Sequence, residues 1–231
     1  MEALTYQNKY FSVLGDSVST LEGYTEPLYA AYYDTARKLQ AKIYTPRDTW
    51  WGQVIEHLGG KLLVNNAISG STVCWHPDYE IPSYACSDAR TSALGRDGIE
   101  PDVIMVYMGT NDWGRGTPIA CTAGEREALA CFASAYGTML QKLRQNYKTA
   151  QIWCFTLPRS RFSADAAFTF PCCYGGRHID EYCATIRACA KENACRLIDL
   201  ALCAERYDTV DGFHPNADGM KSIADAVLAA L

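Results

Sequence analysis

The run Pro101-Asp-Val-Ile-Met-Val-Tyr-Met108 is almost continuously apolar and stops at Gly109-Thr-Asn-Asp112. A strand with one wet face alternates apolar and polar residues, whereas a strand covered on both faces does not. The run therefore predicts an inner strand of a parallel sheet, and parallel neighbours must be joined by crossovers, which helices supply. The rest of the chain provides that alternation. Residues Tyr10 to Leu14 read as a buried strand ending at the Gly15-Asp16-Ser17 turn, followed by a polar, tyrosine-rich stretch from Ser19 to Arg47. Asp48 is placed to cap a helix carrying Trp51, Val54, Ile55 and Leu58 at three-and-four spacing, which Gly59-Gly60 ends. Further strands are expected over Lys61 to Ala67, Ala150 to Leu157 and Cys195 to Leu200, and further helices over Ala123 to Tyr147, Ile179 to Asn193 and Ala217 to Leu231. The expected architecture is α/β: three layers, α/β/α, around a central, mainly five-stranded parallel sheet. A chain of 231 residues buries roughly 70% of its unfolded surface, so a single domain over residues 1–231 is expected, with no need of a metal or disulfide staple.

Charge excludes one class of partner. Acidic residues outnumber basic ones 26 to 21, and Lys and Arg form no basic run. Nucleic acid therefore has no electrostatic footprint. No apolar run reaches the length of a membrane span, and the opening residues, with an early acid and no apolar core, predict no secretion signal. The expected compartment is the cytoplasm. The chain holds 11 cysteines, an odd number, and they are read mainly as small buried hydrophobes. Cys172, Cys173, His178 and Cys183 could be imagined around zinc, but adjacent cysteines depart from the usual ligand spacing, so no metal is expected.

In an open parallel sheet, ligands bind beyond the carboxyl ends of the strands. The expected strand ends deliver Gly15-Asp16-Ser17, Asn66-Ala-Ile-Ser-Gly70 and Gly109-Thr-Asn111-Asp112 to one end, and Asp211-Gly-Phe-His214-Pro215 lies near the C-terminus. Each alone has a bland reading: a turn, an Asx cap, a solvated histidine. In this order and placement they resemble the SGNH, or GDSL-type, hydrolases, named for blocks carrying Ser, Gly, Asn and His, and the resemblance spans residues 11 to 231. Val13-Leu-Gly-Asp-Ser17-Val-Ser-Thr departs from the family's nucleophile block only in having Val18 for its Leu, which keeps the position apolar.

The resemblance implies a flavodoxin-like SGNH hydrolase fold and a serine esterase without metal or organic cofactor. A serine hydroxyl needs a base within about 3 Å, itself oriented by a third group. His214 would take the Ser17 proton and return it to the leaving group, and Asp211 would fix the imidazole tautomer. The family implies an oxyanion hole of the Ser17 and Gly70 backbone N–H groups and the Asn111 amide. Gly70 is expected to allow close backbone approach. Asp16 and Asp112 are expected to hold the Ser17 and Asn111 loops rigid through backbone bonds. His57, His76 and His178 are given no catalytic role.

Selectivity should come from aromatic loops. Tyr24, Trp75 and Trp113 are the candidate substrate-binding residues, with Tyr29, Tyr32, Tyr33, Tyr79, Tyr84, Phe168, Phe170 and Tyr174 as further aromatics near the same blocks. Arg90 and the pair Arg159 and Arg161 are expected as solvated surface cations. With no broad apolar lid or interfacial helix, a short acyl group is favoured, acetyl above others, on a small-molecule or carbohydrate ester. Thioesterase and lysophospholipase activity use the same site, and a catalytically silent carbohydrate-binding module is the competing reading from another class.

Overall fold

The computed structural model describes residues 5–77, 84–121, 129–202 and 206–231. Five parallel strands, β1 Tyr10–Gly15, β2 Lys61–Ala67, β3 Val103–Tyr107, β4 Gln151–Phe155 and β5 Arg196–Ile198, form one sheet in the order β2-β1-β3-β4-β5. All five residues of β3 are buried, as their apolar run requires of a strand held between two parallel neighbours. The chain leaves β1 in one direction to make β2 and then crosses to the other side for β3, β4 and β5. Such a reversal opens a crevice at the carboxyl ends of β1 and β3, where ligands settle in this topology.

Helices α1 Thr35–Ala41, α2 Trp50–His57, α3 Phe132–Asn146, α4 Ile179–Glu192 and α5 Ala217–Ala229 flank the sheet, with α2 packed on α5 and α3 packed on α4. Right-handed crossovers put the helix joining β1 to β2 on one face and those joining β3, β4 and β5 on the other. The three expected layers are thus present. Trp50, Trp51, Val54 and Ile55 of α2 are buried, and both indoles donate to Ser19, at 3.2 Å to its Oγ and 3.0 Å to its carbonyl. Asn65 of β2 adds a 2.9 Å bond to the same carbonyl. These bonds fasten the turn after β1 from below.

Several expected boundaries move. Thr49, not Asp48, caps α2 by accepting from the Gly52 N–H. The Asp48 carboxylate is occupied with the Tyr44 and Thr45 N–H groups of the preceding turn. Helix α1 lies within the polar, tyrosine-rich stretch, to which the sequence assigns no element; it is capped by Asp34 and buries only Ala41, so it leaves no apolar stripe to read. Helix α3 begins at Phe132, and the Ala123 end of the expected helix lies outside the described residues. Cys121 and Cys131 form a disulfide, a pairing that the odd cysteine count had left open. Cys74, Cys86, Cys154, Cys183 and Cys189 are free and buried. Tyr79 and Cys203 lie outside the described residues.

Candidate active site

The carboxyl end of β1 turns at once into a short 3₁₀ segment, Ser17–Ser19, which Asp16 caps by accepting from the Val18 N–H at 3.1 Å. Burial pushes the Asp16 carboxyl up to about 6, against the pull of the Val18 bond and of His214. Ser17 is 7% exposed, at the floor of the crevice.

The 209–215 loop brings up the other partners. Gly212, at φ +94°, turns the chain, and its N–H donates to Thr209 Oγ1 at 3.0 Å. The Val210 N–H donates to the His214 carbonyl, while the Tyr33 and Tyr207 hydroxyls donate to the Pro215 and Phe213 carbonyls at 2.7 and 2.9 Å. In the loop so held, the Asp211 Oδ1 accepts from the Phe213 and His214 N–H groups at 3.0 and 2.8 Å. Its Oδ2 lies 2.7 Å from His214 Nδ1, and His214 Nε2 lies 2.9 Å from Ser17 Oγ. Partial burial pushes the Asp211 carboxyl up, but the bonds from the His214 ring and from the loop N–H groups outweigh it and hold the group well below the usual carboxylate range. An ionised Asp211 makes Nδ1 the protonated nitrogen of a neutral ring, which leaves Nε2 free to accept from Ser17.

Asn111 lines the same cleft as Ser17 and His214, and Gly70 lies in the loop that follows β2. An added Cβ at Gly70 would meet no protein atom within 4 Å, so protein crowding does not demand glycine there; its φ of +79° does. The Asn111 Nδ2 donates to the Ser71 carbonyl at 2.9 Å, which fixes the amide plane beside Ser17. Asp112 is fully buried and accepts from the Val73 and Cys74 N–H groups at 2.8 and 3.1 Å, tying the loop after β2 to the loop after β3. Burial pushes its carboxyl up to about 6, the Val73 bond being the main opposing influence.

Arg90 corrects the expectation of a surface cation, since none of its surface is exposed. Its guanidinium donates to Asn66 Oδ1 at 2.5 Å, the Asn66 carbonyl at 2.7 Å, Ser71 Oγ at 2.8 Å and the Gly15 carbonyl at 3.2 Å. One planar fork thereby joins the ends of β1 and β2 to the loop that presents Gly70. Arg159 is an exposed partner of Asp180, as expected for a solvated cation.

Ser17, His214 and Asn111 border a cleft of about 170 Å³ whose remaining walls include Val18, Trp113, Tyr174 and Phe213. Trp113 stacks on Phe170 at 5.4 Å and touches Tyr174 and Phe213. Tyr174 reaches this wall because Gly116 and Gly175 cross so closely that a Cβ on Gly116 would fall 1.9 Å from the Gly175 carbonyl oxygen. Of the three candidate substrate residues, the structure brings only Trp113 to the cleft. Tyr24 is exposed in the turn closed on the buried Leu21, and the Trp75 segment is drawn by its N–H to the Leu129 carbonyl; neither lines the cleft. Phe213 was legible from its place inside the Asp211–His214 motif; Tyr174 depends on a glycine crossing distant in sequence. Among the described residues no three His, Cys, Asp or Glu side chains are grouped to hold a metal, and no helix is long and apolar enough to cross a membrane. His178 caps α4 and Cys183 faces the Leu157 carbonyl, so each has a structural partner.

Residues 9–163 match the family model described as GDSL-like Lipase/Acylhydrolase. No curated protein matches the chain. Among solved structures, a candidate GDSL-like lipase from Bacteroides uniformis ATCC 8492 is 28% identical, with 97% of this chain and 95% of that one covered and a TM-score of 0.73. Another from Bacteroides ovatus ATCC 8483 is 25% identical, with 96% and 97% covered and a TM-score of 0.72. A carbohydrate acetylesterase family member from Sinorhizobium meliloti, 16% identical with 94% of each chain covered and a TM-score of 0.61, shares the fold.

Proposed function

The chain belongs to the GDSL-like lipase/acylhydrolase family, and on that premise we propose that Ser17 is the nucleophile of an ester hydrolase removing short acyl groups. The preferred acyl group is acetyl, and the preferred alcohol is a carbohydrate. The observation that carries this reading is the line from Asp211 through His214 to Ser17, at 2.7 and 2.9 Å, opening on a small aromatic-walled cleft.

Ser17 Oγ bonds to the ester carbonyl carbon as its proton passes to His214 Nε2, and the carbonyl electron pair moves onto oxygen. The Ser17 and Gly70 N–H groups and the Asn111 amide receive that oxyanion. Collapse re-forms the carbonyl and expels the alcohol oxygen, which takes the proton from Nε2. Water then repeats the sequence on the acyl-enzyme, giving its proton to His214 and releasing the acid as Ser17 is reprotonated. Asp211 stays ionised throughout and stabilises each imidazolium.

A cleft of about 170 Å³ favours a short acyl group, and aromatic walls suit the apolar faces of a sugar ring. The shared fold with the Sinorhizobium meliloti carbohydrate acetylesterase family member supports acetyl as the group to test first. The test is hydrolysis of p-nitrophenyl acetate, octanoate and palmitate by the protein and by Ser17→Ala purified identically. Acetate should be cleaved fastest, with the variant at background. Faster cleavage of palmitate would overturn the short-acyl reading, faster cleavage of the matching thioesters would make it a thioesterase, and equal inactivity of both proteins would favour a binding role.

A further inference from the structure

Tyr32 touches both the base and the acid. Its ring lies 3.5 Å from the His214 ring, centroid to centroid, with the planes 9° apart. Its hydroxyl donates at 2.8 Å to Asp211 Oδ2, the oxygen that also receives His214 Nδ1. Its backbone N–H donates at 2.8 Å to Thr20 Oγ1, and that hydroxyl donates at 2.8 Å to the Ser17 carbonyl. One residue thus links the nucleophile turn, near the start of the chain, to the acid–base loop near its end.

Resting on the reading of Ser17, His214 and Asp211 as a triad, we propose that Tyr32 is a positioning residue: it fixes the plane of the His214 ring, shares the charge of Asp211, and offers its ring face to the imidazolium that forms during turnover. Burial, reinforced by the bond to Asp211, pushes the Tyr32 phenol well above its ordinary range. The hydroxyl is therefore a donor at every working pH. The ring face is electron-rich and attracts a cation stacked on it, an attraction absent while His214 is neutral. The charged groups about His214 are Asp211 on its own loop and Asp16 from the nucleophile turn. Arg37 of α1 lies 4.9 Å from the centre of the Tyr32 ring and is paired with Asp34 at 2.9 Å.

The two contacts make opposite contributions, so two variants separate them. Tyr32→Phe keeps the stack and drops the hydroxyl; Asp211 then concentrates its charge on His214 and favours the imidazolium. Tyr32→Leu drops both. On p-nitrophenyl acetate, Tyr32→Phe should lower kcat about threefold, because Asp211 loses a bond that holds it in line with His214 and this outweighs the gain to the imidazolium, and should move the acidic limb of kcat/KM upward by a few tenths of a pH unit. Tyr32→Leu should lower kcat about thirtyfold with KM within about twofold, and set the limb below that of the Phe variant. A ¹⁵N NMR titration of His214 reads the same order of midpoints without turnover. If both variants keep the wild-type kcat and His214 midpoint, or lose only thermal stability, Tyr32 merely packs and the proposal falls. Ser17→Ala run alongside keeps the two readings apart. Activity surviving in it overturns the triad, while the NMR midpoints still decide what Tyr32 does to His214.

Discussion

Replacing Arg90 by Met would remove the buried guanidinium while keeping an apolar stem of similar reach. Two opposing quantities set the result. Burial draws the Arg90 pKa from 12.5 down to about 10, so holding the charge inside costs about 3 kcal/mol, which the substitution relieves. Against this, three acceptors, Asn66 Oδ1, the Asn66 carbonyl and Ser71 Oγ, lose this donor, while the Gly15 carbonyl keeps the Ile68 N–H, and a buried acceptor left unpaired costs about 1 to 3 kcal/mol. Taking the middle of that range, the loss is about 6 kcal/mol and the net destabilisation about 3 kcal/mol. In a chain of this size that lowers Tm by about 6 to 12 °C. Because the same fork holds the ends of β1 and β2 behind Ser17 and Gly70, kcat should fall about tenfold or more. Thermal and urea unfolding, with kcat and KM on p-nitrophenyl acetate, measure both. Arg90→Lys keeps a charge without the planar fork and should also be destabilised. An Arg90→Met protein as stable and as active as the parent would refute the reasoning.

Asn111→Ala should lower kcat about 10² to 10³-fold with little change in KM, since the amide acts on the developing oxyanion; an unchanged kcat removes it from that role. Because only a neutral His214 accepts the Ser17 proton, kcat/KM should decline on acidification, and a flat profile from about pH 5 to 8 would count against it as base. For Asp112, burial raises the folded pKa to about 6, above the ordinary value of 3.8. Its stabilising contribution is complete below the lower value and is lost as pH rises through the upper one, about 3 kcal/mol in all. Asp112→Asn, compared with the parent by urea unfolding from about pH 4 to 7, should therefore gain relative stability as pH rises. A difference that does not vary with pH would contradict that assignment.

Much of the frame was legible because its signals are local. The apolar run of β3 demanded cover on both faces, and β2 occupies the expected Lys61–Ala67. The motifs carrying Ser17 and Asn111 follow β1 and β3, whose carboxyl ends flank the crevice made by the strand order. Asp211 lies three residues before His214, so one tight loop brings the two side chains together. What stayed hidden depends on residues distant in the chain. Arg90 is buried because the ends of β1 and β2 and the Ser71 hydroxyl converge on it, and nothing near Cys86–Arg90 in sequence announces this. Tyr32 stood among four tyrosines with no local mark to separate it from Tyr24; only the return of the chain at His214 selects it. The short helix α1 offered Asp34 as a cap but a single buried residue, too little for a periodic signal. Asp48 and Thr49 are both good capping residues, and the turn before α2 decided between them.

The central claim is that Ser17 carries the acyl group. The most direct measurement is to mix the protein with p-nitrophenyl acetate, quench with acid on the millisecond-to-second scale, digest, and locate the acetyl group by mass spectrometry. An acetyl group should appear on the Ser17 hydroxyl at early times, decay as acetate is released, and be absent in Ser17→Ala. Turnover with no acetylated peptide, or with the acetyl group on another residue and undiminished in Ser17→Ala, would contradict the account.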